Sequence, residues 1–364
     1  MKQKYYSLER ILSKHALYNV IIGERSNGKT YACLLHGLKE YLRTGKQMAY
    51  VRRWDEDLRG KRGAVLFDAI VSSGDLEKLT DGRWTNVFYY SGRWYLCCYD
   101  GDGKRVTDER PFCFGFALTQ MEHDKSTSYP DVTTVIFDEF LTRQSYLPDE
   151  FILFQNVLST IIRGRRDVTI FMLGNTVNKW SPYFAEMGLK HVKEMEVGSI
   201  DVYTYGDSEL TVAVEFTGSR HSSKASDVYF AFDNPRLNMI TGSEGIWEMA
   251  IYPHCPEKYT PADVVYDYFI RWDNELLHCE VVRTSSSAFT FIHRKTTPIQ
   301  DDDRDLVYST EWDSRPNHRR KITAASDKLD RKLYDFYLRD QVYYQDNEVG
   351  EIIRNYLKWC RASA

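Results

Sequence analysis

A chain of 364 residues has room for about two domains of ordinary size. Hydrophobic residues make up 43% and charged residues 27%, a globular balance that excludes disordered and collagen-like chains. With 48 Lys plus Arg against 52 Asp plus Glu the net charge is -4, so the chain is not a polycation that coats nucleic acid, and any nucleic-acid contact has to be local. No apolar run approaches the ~20 residues that cross a bilayer. The opening stretch MKQKYYSLERILSKH lacks the apolar core of a signal peptide, so a cytoplasmic location without a membrane partner is expected. The seven cysteines form no C-x-x-C and no His pair has zinc-finger spacing, which reads as reduced core thiols.

In chain order, YNVIIG (Tyr18 to Gly23) reads as a buried strand and the stretch from Thr30 as the helix behind it, closed by Gly45. MAYVRR is a second strand. Residues 85 to 99 read as a hairpin turning at Ser91-Gly92, and PFCFGFAL from Pro111 as another extended run. VTTVIFDEF (Val132 to Phe140) is followed by a helix from Asp149 to about Ile162 and the strand VTIFMLGN (Val168 to Asn175). Alternation of strands with helices predicts an α/β domain with a mainly parallel sheet over residues 1–205. The polar texture after about residue 205 predicts a linker over 206–235. Strand-like runs at Val264 to Ile270, Leu276 to Arg283 and Phe289 to His293, then two amphipathic helices, predict a smaller α+β domain over 236–364.

Gly23-Glu24-Arg25-Ser26-Asn27-Gly28-Lys29-Thr30 matches G-x-x-x-x-G-K-[ST] between a predicted strand and a predicted helix. Such a loop turns backbone N–H groups toward phosphate oxygens at a helix N-terminus, where the dipole favours negative charge. Lys29 supplies a fixed positive charge and Thr30 a hydroxyl for Mg²⁺, so ATP with Mg²⁺ is the expected ligand. At the end of VTTVIFDEF, Asp138 is a candidate Mg²⁺ ligand and Glu139 a candidate base for an attacking water. Asn175, at the end of the next strand, fits a γ-phosphate sensor or an ordinary turn residue. Arg163, Arg165 and Arg166 fit a basic helix end or an arginine finger offered to a neighbouring subunit.

GERSNGKT, YVRRW, KSTSYPDVTTVIFDEF, YLPDE and TIIRGRRDVTIFMLGN together resemble the genome-packaging ATPases of small tailed phages, the phi29-like group related to terminase large subunits. The likeness covers the first ~200 residues well and the rest in outline. It implies an ASCE-type P-loop ATPase domain, a linker and an RNase H-like C-terminal domain. It also implies a homomeric ring, usually a pentamer, on the portal of a prohead, driving double-stranded DNA inward as an ATPase. Some relatives attach through a structural RNA, which makes such an RNA a candidate partner. By position, the resemblance gives the trans-acting role to Arg163, and it adds Lys125 as a second candidate between subunits.

No carboxylate trio stands on the predicted C-terminal strands: Asp273 falls in a turn and Asp301, Asp302 and Asp303 in a loop. A two-metal nuclease needs converging carboxylates, so a vestigial nuclease is expected. Positive charge concentrates at residues 43–62 and 315–339, and Arg52, Arg53, Arg59, Lys61 and Arg62 are candidates for sequence-independent phosphate contacts. The competing functions are another P-loop DNA motor, helicase-like, and a packaging protein with an active nuclease.

Overall fold

The computed structural model describes residues 6–25, 27–120, 128–143, 146–176, 179–206, 210–218, 250–324 and 326–362. The first compact unit takes the described residues to 143, with 150–179 and 189–218. Its strands are β1 (Tyr18–Gly23), β2 (Gln47–Arg52), β3 (Asn86–Tyr90), β4 (Arg93–Tyr99), β5 (Arg105–Thr107), β6 (Cys113–Ala117), β7 (Val132–Asp138), β8 (Thr169–Asn175), β9 (Ile200–Tyr205) and β10 (Leu210–Thr217). They form one sheet in the order β3-β4-β6-β2-β7-β8-β1-β10-β9, with β5 on β4. From β6 to β10 every pairing is parallel. Parallel strands covered on both faces carry continuous apolar runs, and Val20 to Ile22, Val135 to Phe137 and Ile170 to Leu173 are fully buried.

The decisive feature is that β8, which follows β7 in the chain, lies between β7 and β1. Asp138 aligns with Leu173 and Gly23 with Asn175, so the phosphate loop, the acidic strand end and Asn175 share one sheet edge. An extra strand between the loop-bearing and acid-bearing strands is the ASCE arrangement that the sequence resemblance implies. The helix Lys29–Thr44 packs on β2, β7 and β8 and ends at Gly45, whose φ of 74° closes the last turn on the Tyr41 carbonyl. The predicted hairpin turns where expected, with Ser91 and Gly92 at φ of 47° and 73°, the left-handed pair of a tight two-residue turn.

The segment expected as linker begins with β10, which pairs in parallel with β1 over its whole length, and β9 closes that edge antiparallel. The sheet therefore runs past residue 205, to Thr217. Glu215 interrupts the apolar run of β10, yet it is 3% exposed because Tyr6 donates a hydrogen bond to it and Arg10 lies 3.7 Å away. Residues 219–249 lie outside the described residues, so the remainder of the expected linker is not visible.

The described residues from 250 onward, with 146–149 and 180–188, form the second unit. The strands β11 (Val264–Trp272), β12 (Glu275–Arg283) and β13 (Ala288–Arg294) make an antiparallel meander. β14 (Val307–Ser309) adds in parallel beside β11, β15 (His318–Arg319) beside β14, and β16 (Val342–Tyr344) beside β13. Three antiparallel strands extended by parallel strands beyond the first is the RNase H-like order. Alternation puts Tyr268, Ile270 and Trp272 into a core with Ile352, Ile353 and Tyr356 of the helix Asn347–Ala362, and puts Asp267, Phe269 and Arg271 on the opposite face.

Candidate functional site

At the shared edge of β1, β7 and β8 a cavity of about 490 Å³ is lined by the phosphate-type loop, Asp138, Glu139 and Asn175. Each glycine of the motif has its own reason. Gly28 sits at φ 90° as the residue before the Lys29–Thr44 helix, a left-handed conformation that costs glycine nothing. Gly23 has no such φ; a Cβ there would run into the Thr217 carbonyl of β10. Asn27 ties the loop to the same strand by donating from Nδ2 to Thr217 Oγ1 at 2.6 Å. Glu24 contributes its carbonyl to Lys29, Arg25 lines the cavity, and Ser26 lies outside the described residues.

Lys29 is 6% exposed, and its ammonium donates to the carbonyls of Gly23 (3.2 Å) and Glu24 (2.6 Å) and to Asn175 Oδ1 (3.3 Å). Among the described residues it makes no ion pair. Burial pulls its pKa down to about 8, against the opposing pull of Asp138 and Glu24. A buried cation held by neutral dipoles fits an incoming phosphate. Asn175 thus enters the site as a partner of Lys29, on the strand next to the one that leads to Glu139, and both line the same cavity.

Thr30 donates from Oγ1 to Asp138 Oδ2 at 3.0 Å, and Tyr50 donates to the same oxygen at 2.9 Å. Burial pushes the Asp138 carboxyl up, while Arg52, Tyr50 and Thr30 hold it down. A hydroxyl and a carboxylate oxygen in contact beside the phosphate loop are a hard-oxygen set suited to Mg²⁺. Glu139 follows at φ 58° with an exposed side chain, and Arg52 Nη2 donates to its Oε2 at 2.7 Å.

Two of the arginines read as DNA contacts are corrected here. Arg52 faces Asp57 (3.1 Å), Asp138 (3.9 Å) and Glu139 with a side chain 16% exposed. Arg53, 7% exposed, makes a two-point contact with the buried Glu150, from Nε at 2.7 Å and Nη2 at 2.8 Å, and donates to the carbonyls of Glu139 and Phe140. Arg52 ends β2 and Arg53 follows it, and the two guanidiniums hold different parts of the acidic turn, Arg52 the Glu139 carboxylate and Arg53 the Glu139 and Phe140 carbonyls. Arg59, Lys61 and Arg62 are exposed, with Arg59 paired to Asp55 and Arg62 to Asp57 at 3.3 Å. Tyr50, Glu150 and Thr217 are site residues that sequence reasoning missed; YVRRW and YLPDE contain the first two, but only the fold pairs them.

The helix Glu150–Ile162 ends at Arg163 and Gly164, both left-handed with φ of 48° and 78°. Arg165 is committed to structure: it donates to the carbonyls of Ile161, Ile162, Tyr129 and Val132. Arg163 and Arg166 are exposed. All three precede β8, whereas Asn175 ends it, and seven strand residues span about 20 Å. Lys125 lies outside the described residues.

In the second unit the acidic residues are matched by arginine. Arg315 lies 2.9 Å from Asp302, 3.1 Å from Asp303 and 2.7 Å from Asp313, and Arg319 pairs with Asp327 and Asp330. Asp273 occupies the β11–β12 turn at φ 51°. Arg315 and Arg319 of the basic stretch at 315–339 are thus internally compensated, and the Asp301–Asp303 loop is bridged by Arg315, an arrangement unlike paired metal ligands.

The Podovirus DNA encapsidation protein (Gp16) family matches residues 1–93 and 102–233. The DNA packaging protein of Bacillus phage phi29 is 27% identical over 226 residues, 61% of each chain, and that of Bacillus phage B103 is 32% identical over 182 residues, 49% of this chain and 50% of the relative. The match thus spans about three-fifths of the length of the phi29 relative or less. Over the whole chain the fold is similar to the Phi-28 gp11 DNA packaging motor (TM-score 0.58, 17% identity, 100% of both chains). It is also similar to the bacteriophage Phi-29 viral genome packaging motor assembly (TM-score 0.53, 20% identity, 96% of both).

Two outcomes follow from this geometry. Glu150→Gln leaves the Arg53 charge buried without its partner, which costs about 3 to 5 kcal/mol; the unfolding midpoint of the first domain should fall well below that of the wild type in thermal denaturation. For Lys29, the folded pKa lies below the unfolded value of 10.5, so between about pH 8 and 10.5 the unfolded chain binds more protons and stability of the nucleotide-free protein rises with pH. Below pH 8 the buried charge costs roughly 3 kcal/mol. Lys29→Met should flatten that rise, raise or preserve stability at pH 7, and abolish the thermal shift that ATP gives the wild type; a variant still stabilised by ATP would contradict the phosphate assignment.

Proposed function

Since the chain belongs to the Podovirus DNA encapsidation protein (Gp16) family, we propose that it is an ATP-driven motor that moves double-stranded viral DNA into a prohead through its portal, acting as a homomeric ring. The observation that carries this reading is the buried, unpaired Lys29 at one sheet edge with Thr30, Asp138 and Glu139. In this proposal residues 6–218 hold the ATPase machinery and the domain after residue 250 is a nuclease-like fold that does not cut, given its arginine-bridged carboxylates. The site of action is the portal vertex in the host cytoplasm, with five subunits and, as a further candidate partner, a structural RNA.

Lys29 and the loop N–H groups bind and orient the phosphates. Thr30 and Asp138 would hold Mg²⁺, which would supply positive charge against the phosphates. Glu139 accepts the proton of the attacking water. Before it can do so, its Oε2 has to exchange the Arg52 guanidinium for that water, so Arg52 keeps the base occupied when the water is not in place. Asn175 shares the Lys29 ammonium and so lies where the γ-phosphate end of the ligand arrives. Arg163 serves the next subunit's nucleotide, because its own strand carries it some 20 Å away from its own. Lys125 is a second candidate between subunits, and Arg59, Lys61 and Arg62 remain the candidate contacts to DNA phosphates.

The function is tested by ATP-dependent, prohead-dependent protection of DNA from added nuclease. The wild-type protein should protect and Glu139→Gln should not, although it keeps ATP binding; a folded wild-type protein that hydrolyses ATP and protects no DNA would count against the motor. The trans assignment is tested by mixing inactive Arg163→Ala and Glu139→Gln chains. Subunit exchange, followed with labelled wild-type protein, should place intact pockets beside intact fingers and restore partial hydrolysis; silence despite proven exchange would return Arg163 to its own subunit.

A further inference from the structure

The face of the second sheet opposite the Asn347–Ala362 helix carries a group that the packaging reading does not use. His278 and Glu280 alternate on β12 and point the same way, and register sets His293 of β13 directly opposite His278. One nitrogen of each imidazole and one carboxylate oxygen of Glu280 lie within 4.8 Å of one another, and all three side chains are half-buried. We infer that His278, Glu280 and His293 form a divalent transition-metal site, filled by Zn²⁺, that ties β12 to β13.

The second contacts of each residue support this. His293 Nδ1 lies 3.1 Å from the Arg294 carbonyl, which can only accept, so Nδ1 carries the proton and Nε2 holds the lone pair. That Nε2 is 3.8 Å from Glu280 Oε2, too far for a hydrogen bond. Two ligands at 2.0–2.1 Å from one ion and 3.8 Å apart subtend an angle of about 130–144°, and drawing them together by about 0.5 Å gives the tetrahedral angle. His278 Nε2 lies 2.8 Å from Asp267 on β11, the carboxylate–imidazole contact that orients metal-binding histidines, and Tyr259 donates to Glu280. Phe269 stacks on the His278 ring at 4.9 Å between centroids and shields one side.

Two imidazoles, one carboxylate and an open fourth position suit Zn²⁺, whereas Mg²⁺ prefers oxygen ligands and retained water. The group also differs from the carboxylate pairs that hold two metals for phosphodiester cleavage, so it is not a two-metal nuclease centre. It stands on β11 to β13 alone and is independent of the ATPase assignment.

The test uses the full chain, stripped with EDTA and kept in excess Mg²⁺ so that hard-oxygen sites are filled. Zn²⁺ titrated by calorimetry should bind at one equivalent with sub-micromolar affinity and raise the unfolding midpoint of the second domain by several degrees. Co²⁺ in its place should give a visible d–d band without the thiolate charge-transfer band that cysteine ligands would produce. His293→Gln and, separately, His278→Asn should weaken Zn²⁺ binding at least 100-fold while Mg²⁺-dependent ATP hydrolysis is unchanged. No stoichiometric binding by the wild type, a thiolate signature, or equal binding by folded variants would overturn the site. Should either variant fail to fold, the wild-type stoichiometry and Co²⁺ spectrum decide the question alone.

Discussion

The buried ammonium of Lys29 is the constraint around which the first domain is organised. A charge removed from water without a counter-ion is unfavourable, and among the described residues the ammonium donates its hydrogen bonds to carbonyl and amide oxygens alone. The arrangement persists because the sheet order delivers those oxygens: β1 ends at Gly23, its neighbour β8 ends at Asn175, and the loop returns over both. The same order delivers Asp138 one strand further on, close enough to act on Lys29 and to receive Thr30, yet not paired with the ammonium. A site that leaves its cation short of an anion is preorganised for a ligand that brings one.

The acidic turn after β7 needs equal restraint, because Glu139 sits at a positive φ that a non-glycine residue adopts only when its surroundings impose it. Arg53 imposes it from the buried side by holding the Glu139 and Phe140 carbonyls while anchored on Glu150, and Phe140 N–H donates to Leu173 of β8. Arg52 meets the exposed side by engaging the carboxylate itself. Neighbouring arginines of identical chemistry thus do different work, one fixing the backbone under Glu139 and the other engaging its carboxylate.

Much of this was legible in the sequence because parallel strands and the phosphate loop both have strong local signatures. GERSNGKT and the apolar runs that flank it place the site without any knowledge of the fold. What escaped depended on pairing. β10 was hidden by Glu215, a buried acid whose compensation by Tyr6 and Arg10 comes from the far end of the chain. Arg52 and Arg53 looked like surface charge because their partners Glu139 and Glu150 lie on other elements. β14 to β16 are two or three residues long, below the length at which alternation can be read. His278 and His293 have no recognisable spacing and meet only through the register of β12 on β13.

The position of Arg163 carries the argument from one subunit to an assembly. A P-loop sheet gathers its nucleotide chemistry at the carboxyl ends of its strands, and β8 leads from the arginine-rich turn at one edge to Asn175 at the other. Side-chain length is several-fold shorter than that strand, so a turn at the amino edge cannot serve the pocket of its own chain. Arg165 donates to the carbonyls of Ile161 and Ile162 at that turn and of Tyr129 and Val132 beside it, and the flanking Arg163 is exposed. In the proposed ring, an exposed arginine at the edge remote from its own phosphate loop acts in catalysis only when another copy brings its pocket to it. On that proposal, firing in one subunit would be coupled to the placement of the next, the property a ring needs if its hydrolysis events are to occur in order.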